Sequence, residues 1–491
     1  MSLFNEKAGD FHMAQVEKVL LRRIMLVLFL GVLMGALDIS IVGPALSAIQ
    51  TEFVLAPGLV TWAYTAYILL NLIGTLIMSK LSDNYGRRVV YVTCLALFGG
   101  GSFVVSVAPS FLVVILGRAI QGFGSGGLFP VASAVIVDTY PPEKRGSALG
   151  LIGAVFGISF LVGPIVAGVL LVYSWRYLFV INIPIAVIVG MLALKYLPTR
   201  RKENCGVIDR VGIVLISTTL VCLTIGVYSI NTEHLVLSLL TFQCLPLLAA
   251  ALVLFLVFRY YERRRACDPV FNFNIYKSRQ AKIIGLIAFG TGLAEGSLGF
   301  IPIFAVYAFT VTSSVSSYML LPIVIVMTFA APTSGRLLDK KGPRMVIMFG
   351  VVFTAIGMTT LALMGASNLP WFYITTVLVG IGLGFSLGAP LRYAIVNEAP
   401  VADRAIAQGS LGLFTGLGEM IVGPLAGSIV FSLGSGVAGY GAVYAVIAVL
   451  SIALAVICLW FKDFKIEPRT GYQPPQEASA HPLNEAEEAT N

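Results

Sequence analysis

The chain has 491 residues, of which 58% are hydrophobic and 11% charged, and its mean hydropathy is +0.92. Soluble globular proteins carry about 25% charged residues, so this composition excludes a water-soluble protein. A membrane-spanning helix needs about 20 mostly apolar residues, and because runs of that length recur along the chain, the sequence predicts a polytopic membrane protein.

Fourteen apolar runs separated by charged or turn-forming residues predict fourteen transmembrane helices, the first near residues 24–44 and the last near 440–461. Lysine and arginine favour the cytoplasmic loops of membrane proteins. Of the 32 such residues, 29 fall in the two tails and in alternate loops. We therefore expect a multi-pass protein of the plasma or inner membrane with both termini in the cytoplasm. This bias accounts for the net charge of +8, so no nucleic-acid partner is expected.

Composition also excludes several chemistries. The three histidines lie in the tails or in a short loop, no cysteines have C-x-x-C spacing, and no phosphate-binding G-x-x-x-x-G-K-[ST] motif is present. We therefore expect no metal, no cofactor and no ATP hydrolysis by this chain. A lipid-modifying enzyme is the alternative from another class, but no histidine lies in a predicted span to pair with a serine or cysteine.

The two halves of the chain repeat each other. Residues 79–88 (SKLSDNYGRR) recur as 335–344 (GRLLDKKGPR), an offset of 256, and Gly163-Pro164 recurs as Gly423-Pro424, an offset of 260. Transporters are commonly built from related bundles of this kind. Each half then holds six helices, and two further helices are inserted between the halves.

The inserted helices are predicted near residues 211–230 and 236–258. Their interiors carry no charged residue, so we expect a lipid-facing spacer. The resulting division is an N-terminal cytoplasmic tail, a first six-helix bundle, the inserted pair with its flanking cytoplasmic loops, a second six-helix bundle and a disordered cytoplasmic tail: residues 1–23, 24–197, 198–279, 280–462 and 463–491.

Five segments carry a family resemblance: 37–42 (LDISIV), 79–88, 116–122 (LGRAIQG), 163–168 (GPIVAG) and 175–184 (WRYLFVINIP). In their order and spacing they resemble the motifs of the major facilitator superfamily and, within it, of the fourteen-span drug:proton antiporters. The resemblance implies an all-α, two-bundle (6+2+6) fold. It also implies export of a small hydrophobic or cationic compound in exchange for protons, by alternating access in a monomer.

Charged residues inside the spans are candidates for coupling substrate transport to proton movement. Inserting a charged side chain at the centre of a membrane-spanning helix costs about 2.5–3.5 kcal/mol even on the mildest insertion scale, so such residues normally have a function. Asp38 and Arg118 fall at similar depth in two helices that run in opposite directions, so we expect them to meet. A carboxylate that gains and loses such an arginine can take up and release a proton. A static ion pair that only fixes helix packing is the alternative.

Glu295 and Glu419 are two further acids inside predicted spans. Glu295 follows Asp38 by 257 positions, so the repeat predicts that these two carboxylates face each other across a central cavity. Glu419 occupies the position equivalent to Ser159. We expect both glutamates to be unpaired and to meet substrate or protons, with a neutral buried carboxyl group as the alternative.

The repeated loops combine an aspartate with glycine and arginine in a tight turn. We expect Asp83 to accept hydrogen bonds from an arginine or a helix N-terminus, which forms a latch that breaks as the bundles move. The alternative is positive loop charge with an incidental carboxylate. The predicted latch residues are Asp83, Gly86, Arg87, Arg145, Asp339, Gly342 and Arg344.

Small residues and prolines mark one helix in each half. They permit close helix packing and a local bend, so they indicate either a gating hinge or packing alone. The residues that match the antiporter motif are Gly157, Gly163, Pro164, Gly168, Gly423 and Pro424.

The sequence as a whole predicts a proton-coupled exporter of hydrophobic or cationic compounds. Export of an endogenous amphiphile such as a lipid, siderophore or metabolite is the first alternative, because the same apolar cavity would admit it. A scramblase or channel that needs no gradient is the second.

Overall fold

The computed structural model describes residues 2–56, 58–199, 209–231, 238, 241, 243–264, 271, 273–387, 389–399, 404–434 and 436–462. Within this part of the chain, fourteen helices are long and apolar enough to cross a membrane. The number of spans predicted from the sequence is confirmed. The tail predicted over residues 463–491 lies outside the described residues.

The first six spans are α1 to α6: Ser2–Glu52, Thr61–Tyr85, Arg87–Ser106, Phe111–Thr139, Pro142–Leu170 and Tyr177–Tyr196. The inserted pair is α7 and α8: Arg210–Tyr228 and Leu245–Arg264. The last six are α9 to α14: Arg279–Phe309, Ser313–Lys341, Pro343–Met364, Leu369–Glu398, Arg404–Leu433 and Val437–Cys458.

Two predicted boundaries were wrong. The first helix was expected over 24–44, but α1 extends from Ser2 to Glu52: Pro44 is accommodated inside it, and the charged residues before position 24 do not end it. The second inserted helix was expected from residue 236, whereas α8 begins at Leu245 and continues to Arg264. The sequence predicted a loop at the charged end of α8, which contains Arg263 and Arg264, because lysine and arginine are typical of loops in a membrane protein.

Each half of the chain packs into its own bundle around a glycine-rich helix. In the first half α4 packs against α2 and α3, and in the second half α12 packs against α10 and α11. A side chain at Gly122 of α4 would overlap the backbone of Tyr67 on α2, so the close approach of these two helices requires glycine. Small residues at helix interfaces are the usual way in which membrane helices approach closely.

The two bundles contact each other near one end of the molecule, here called the closed end. Ser47 of α1 hydrogen-bonds Ser313 of α10 through their hydroxyls at 2.8 Å. The hydroxyl of Ser317 donates to the Pro164 carbonyl of α5 at 2.7 Å. Gly423 of α13 lies against the Thr65 side chain of α2.

The opposite end, which carries the loop at residues 79–88, is here called the open end. A Cβ atom at Gly150, Gly153 or Gly157 of α5 would find no neighbouring atom within 4 Å. The same holds for Gly409 and Gly412 of α13. The helices that touch across the bundles at the closed end therefore diverge toward the open end.

The inserted pair is only in part the lipid-facing spacer that the sequence predicted. Among the described helices α8 packs against α7, and most of its large apolar side chains are exposed. By contrast, α7 packs against α2 of the first bundle and α13 of the second, and its Leu220 and Thr224 are buried. Because uncharged helices fit lipid and protein surfaces equally well, composition could not distinguish these two positions.

Candidate functional site

Asp38 of α1 and Arg118 of α4 form an ion pair in the interior of the first bundle. Arg118 Nη1 lies 2.5 Å from Asp38 Oδ2, and neither residue has any exposed surface. The sequence predicted this encounter from the depth of the two residues in their helices, and the geometry places them together.

Further polar groups complete the shell around this pair. The Gln121 amide donates to Asp38 Oδ1 at 2.7 Å, and the Asn182 amide donates to the same oxygen at 3.2 Å. The Arg118 guanidinium also donates through Nε to the Ala63 carbonyl at 3.0 Å. Buried charges are tolerated when they are paired and hydrogen-bonded in this way.

The guanidinium of Arg118 is held on its flat side by aromatic rings. Its central carbon lies 4.1 Å from the centroid of the Tyr67 ring and 5.6 Å from that of Phe179. Its Nη2 has no hydrogen-bond partner in the part of the chain that the structure describes. One face of the buried charge is therefore satisfied by the π-electrons of Tyr67 rather than by a hydrogen bond.

The sequence did not predict that four residues join this network, namely Tyr67, Ser102, Gln121 and Asn182, although Gln121 and Asn182 lie in two of the family motifs. Gln121 follows Arg118 by three positions, which places both side chains on one face of α4, and its amide also donates to the Ser102 hydroxyl at 2.9 Å. The three-residue spacing was the available signal for Gln121. Asn182 comes from α6, and no local pattern connects it with Asp38.

Glu295 and Glu419 form a second acidic site in the other bundle. They lie on α9 and α13, close enough for their carboxyl groups to interact, and the Arg392 guanidinium also interacts with Glu295. Helices α9 and α13 approach closely here, since a side chain at Gly292 would overlap the backbone of Thr415. Both glutamates lie in the middle of their helices and keep part of their surface exposed, whereas Asp38 is fully buried.

Two expectations about these acids were wrong. Glu295 and Glu419 are not separate unpaired carboxyl groups, because the close packing of α9 and α13 makes them neighbours. Asp38 does not face Glu295 across the cavity, because its carboxylate turns toward Arg118, Gln121 and Asn182 and is fully buried. The repeat relates the positions of Asp38 and Glu295 along their helices, but it does not fix the direction of the side chains.

The loop between α2 and α3 forms a charged cluster at the open end. Arg87 contacts Asp83 at 2.6 Å and Asp138 of α4 at 3.0 Å, and it donates to the Ser82 hydroxyl at 2.6 Å. Gly86 has a φ of 94°, which is the left-handed conformation that the turn between the two helices requires. These contacts of Asp83 and Arg87 lie within the first bundle.

The other predicted latch residues lie nearby or in the second copy. Arg145 donates to the Tyr140 carbonyl at 2.9 Å, which fixes the turn between α4 and α5. Gly342 has a φ of 81°, so the turn of the first copy is reproduced. Arg344 donates to the Leu459 carbonyl at 2.9 Å, and Asp339 is exposed.

The glycines of the antiporter motif have different surroundings. Gly163 lies against the Ser40 side chain of α1, and Gly168 lies against the Tyr318 ring of α10. Gly157 has open space around it, although it lies on the same face of α5 as Gly168. Pro164 and Pro424 lie inside continuous helices, α5 and α13 respectively.

The fold and the two acidic sites define a class of protein: a helical membrane transporter with a central cavity between two bundles. The model of the Major Facilitator Superfamily matches residues 28–282 and 283–489 of the chain. The protein belongs to this superfamily, and it is a transporter rather than an enzyme.

Relatives with related sequences are bacterial transporters. The chain is 32% identical over 398 residues to the uncharacterized MFS-type transporter YfiU of Bacillus subtilis, covering 79% of this chain and 76% of that protein. It is 30% identical over 394 residues to Multidrug resistance protein 3 of the same organism, covering 79% and 75%. It is 25% identical over 381 residues to the riboflavin transporter RibZ of Clostridioides difficile, covering 77% and 81%.

Solved structures show the same fold. A D-xylose-proton symporter superposes with a TM-score of 0.63 at 16% identity, covering 90% of this chain and 98% of that one. The nucleoside transporter NupG gives a TM-score of 0.62 at 15% identity, covering 91% of this chain and 100% of that one. The two-bundle architecture predicted from the sequence is confirmed.

Proposed function

We propose that the protein is a proton-coupled exporter of hydrophobic or cationic compounds that works by alternating access. Relatives that include Multidrug resistance protein 3 and the multidrug transporter protein MdtP, at 30% and 29% identity, support this substrate class. With both termini in the cytoplasm, as the loop charges favour, the open end faces the cytoplasm. The described conformation is then the one that loads a compound from inside the cell.

The observation that carries the proposal is the difference between the two acidic sites. Asp38 is neutralised by Arg118 and is buried, whereas Glu295 and Glu419 lie beside each other and keep part of their surface exposed. Two carboxylates in contact repel each other in a low-dielectric interior. Either a proton or a cationic compound relieves this repulsion, so the two are alternative partners of one site. Exchange of one for the other is antiport.

We propose that Asp38 and Arg118 couple proton binding to helix movement, so that protonation of Asp38 changes how α1 and α4 lie relative to each other. A carboxylate that is protonated loses most of its attraction for the arginine, so the ion pair at 2.5 Å weakens and α1 and α4 can shift relative to each other. Moving one charge across 100 mV is worth about 2.3 kcal/mol, which makes proton entry a usable driving force.

Export of an endogenous amphiphile is a second candidate for the same cavity. A relative that carries riboflavin supports it, since that compound is an aromatic metabolite rather than a drug. A panel that contains lipophilic cations, neutral amphiphiles and flavins separates the two candidates by which compounds move.

The test uses the purified protein in liposomes with an imposed pH gradient, and it records proton flux as each compound is added. We expect wild-type protein to release protons on addition of substrate, Asp38→Asn to abolish coupled flux and Glu295→Gln to reduce it for cations more than for neutral compounds. Glu398→Gln, at the end of α12, is the matched control and keeps wild-type flux. Compound or lipid movement that ignores the gradient would contradict the antiporter and favour a scramblase or channel.

A further inference from the structure

The inserted helix α7 touches both bundles at the closed end. Its last residue, Tyr228, has its ring centroid 5.1 Å from that of Trp62 on α2. The same ring lies against Gly427 of α13, where any side chain at position 427 would overlap it. Tyr228 therefore fills the junction between one helix of each bundle.

The contact with the second bundle is the more extensive of the two. Helix α7 packs more broadly against α13 than against α2. The Ser428 hydroxyl of α13 also donates a hydrogen bond to the Ile230 carbonyl, just after the end of α7. The hydrogen bond and the close packing at Gly427 both hold α7 against α13, whereas on α2 Tyr228 contacts the Trp62 side chain.

The two helices of the inserted pair are packed against each other. Gly226 of α7 lies against Leu248 of α8, and the Cys244 thiol donates to the Gly226 carbonyl at 3.5 Å. We therefore expect α8 to move with α7.

Opening the closed end must separate α2 from α13, because these two helices contact each other there. Helix α7 cannot stay on both. We propose that the inserted pair travels with the second bundle and that the Trp62–Tyr228 contact is the one that breaks, so the pair acts as a removable brace across the closed end. This proposal rests on the alternating access of the proposed function.

The brace gives the inserted helices a defined role in the transport cycle. While the end is closed, Tyr228 contacts both Trp62 and Gly427, and after opening it keeps only the contact with Gly427. Removing this contact shifts the equilibrium between the two states in favour of opening. Tyr228 and Trp62 are thus positioning residues for the gate, since neither contacts the acidic pair in the cavity.

The test joins α7 to one bundle at a time with a short cleavable bis-methanethiosulfonate linker, in a variant that lacks the six native cysteines. Trp62→Cys with Tyr228→Cys joins α7 to α2, and Ile230→Cys with Ser428→Cys joins it to α13. Transport in proteoliposomes and amide hydrogen exchange of the closed-end segments of α2 and α13 are measured before and after cleavage by a reductant. The exchange measurement reports opening whether or not a substrate is present.

We expect the link to α2 to slow both transport and exchange by about tenfold or more, with recovery on reduction, and the link to α13 to leave both within about twofold. The reverse pattern would show that the pair travels with the first bundle and would overturn the proposal. Arrest by both links, or by neither, would also overturn it. If wild-type protein carries no compound but the exchange results follow the expected pattern, the brace stands and the proposed function fails.

Discussion

At the level of single residues, the Asp38–Arg118 pair shows how a membrane protein keeps two charges in its interior. Three side chains from two helices, α4 and α6, donate to the Asp38 carboxylate: Arg118, Gln121 and Asn182. The attraction between the two charges offsets the cost of removing both from water only while the pair is intact. Either charge without its partner would therefore destabilise the folded protein.

This dependence predicts a characteristic result for single and double variants. Asp38→Ala leaves a buried guanidinium without its counter-charge and should lower the free energy of unfolding by about 3–5 kcal/mol. Adding Arg118→Leu removes the orphaned charge, so the double variant should be more stable than Asp38→Ala alone. Chemical unfolding in detergent micelles measures both. A double variant that is destabilised by the sum of the two single effects would contradict the ion pair.

Two glycines on α5 provide a second residue-level test. Gly163→Ala places a methyl group against the Ser40 side chain, which is itself hydrogen-bonded to the Leu37 and Ser159 carbonyls. We expect a loss of about 1–3 kcal/mol from overpacking. Gly157→Ala is the matched control, because its methyl group meets open space and the helix gains up to about 1 kcal/mol in propensity. Thermal unfolding of both proteins should therefore shift in opposite directions.

At the level of elements, polar contacts fasten the ends of helices that lie apart in sequence. The Trp175 indole and the Arg176 guanidinium both donate to the Glu52 carboxylate, each at 2.5 Å. Arg176 also donates to the Ala108 carbonyl at 3.1 Å. The end of α1, the loop between α3 and α4 and the start of α6 are thus joined, which explains why an arginine occurs in a loop at the end that otherwise lacks them.

A tyrosine fastens α1 to α4 at the open end. The Tyr140 hydroxyl donates to the Leu21 carbonyl at 2.6 Å, and partial burial raises the pKa of Tyr140 above its usual value. A group with a raised pKa in the folded state binds its proton more tightly there, so its stabilisation is present below pH about 10 and is lost above it.

Alkaline unfolding should reveal this contact. Between pH about 9 and 12, the melting temperature of the wild type should fall more steeply than that of Tyr140→Phe, which cannot ionise. At pH 7 the variant should be less stable by about 1 kcal/mol, because one hydrogen bond is missing. Equal slopes for the two proteins at alkaline pH would show that Tyr140 does not contribute to the pH dependence.

At the level of the whole molecule, the bundles meet at one end and diverge at the other. This difference predicts the reactivity of introduced cysteines in a variant without the native ones. Gly412→Cys and Gly153→Cys have open space around them and should react with a membrane-impermeant maleimide. Gly423→Cys is buried against Thr65 and should react at least about tenfold more slowly. Equal rates for the three would contradict the closed end.

Much of this architecture could be predicted from the sequence because it depends on local composition. The apolar runs predicted the fourteen spans, and the repeat at 79–88 and 335–344 predicted the two bundles. The similar depth of Asp38 and Arg118 in their helices predicted that they meet. The pairing of Glu295 with Glu419 could not be predicted, because it depends on how closely α9 approaches α13. The position of α7 depends on the packing of the Tyr228 ring against Gly427 of α13. Nothing in the sequence of α7 or α13 indicates that these two residues meet.

The inserted pair lies on one side of the two bundles, so the two sides of the protein within the plane of the bilayer differ. Two related bundles have two equivalent flanks where they meet, α2 beside α13 and α5 beside α10. Among the described helices, α7 covers the first flank, and neither inserted helix packs against α5 or α10 at the second. We therefore expect the surrounding bilayer to act unequally on the two junctions, because the inserted helices cover only one of them.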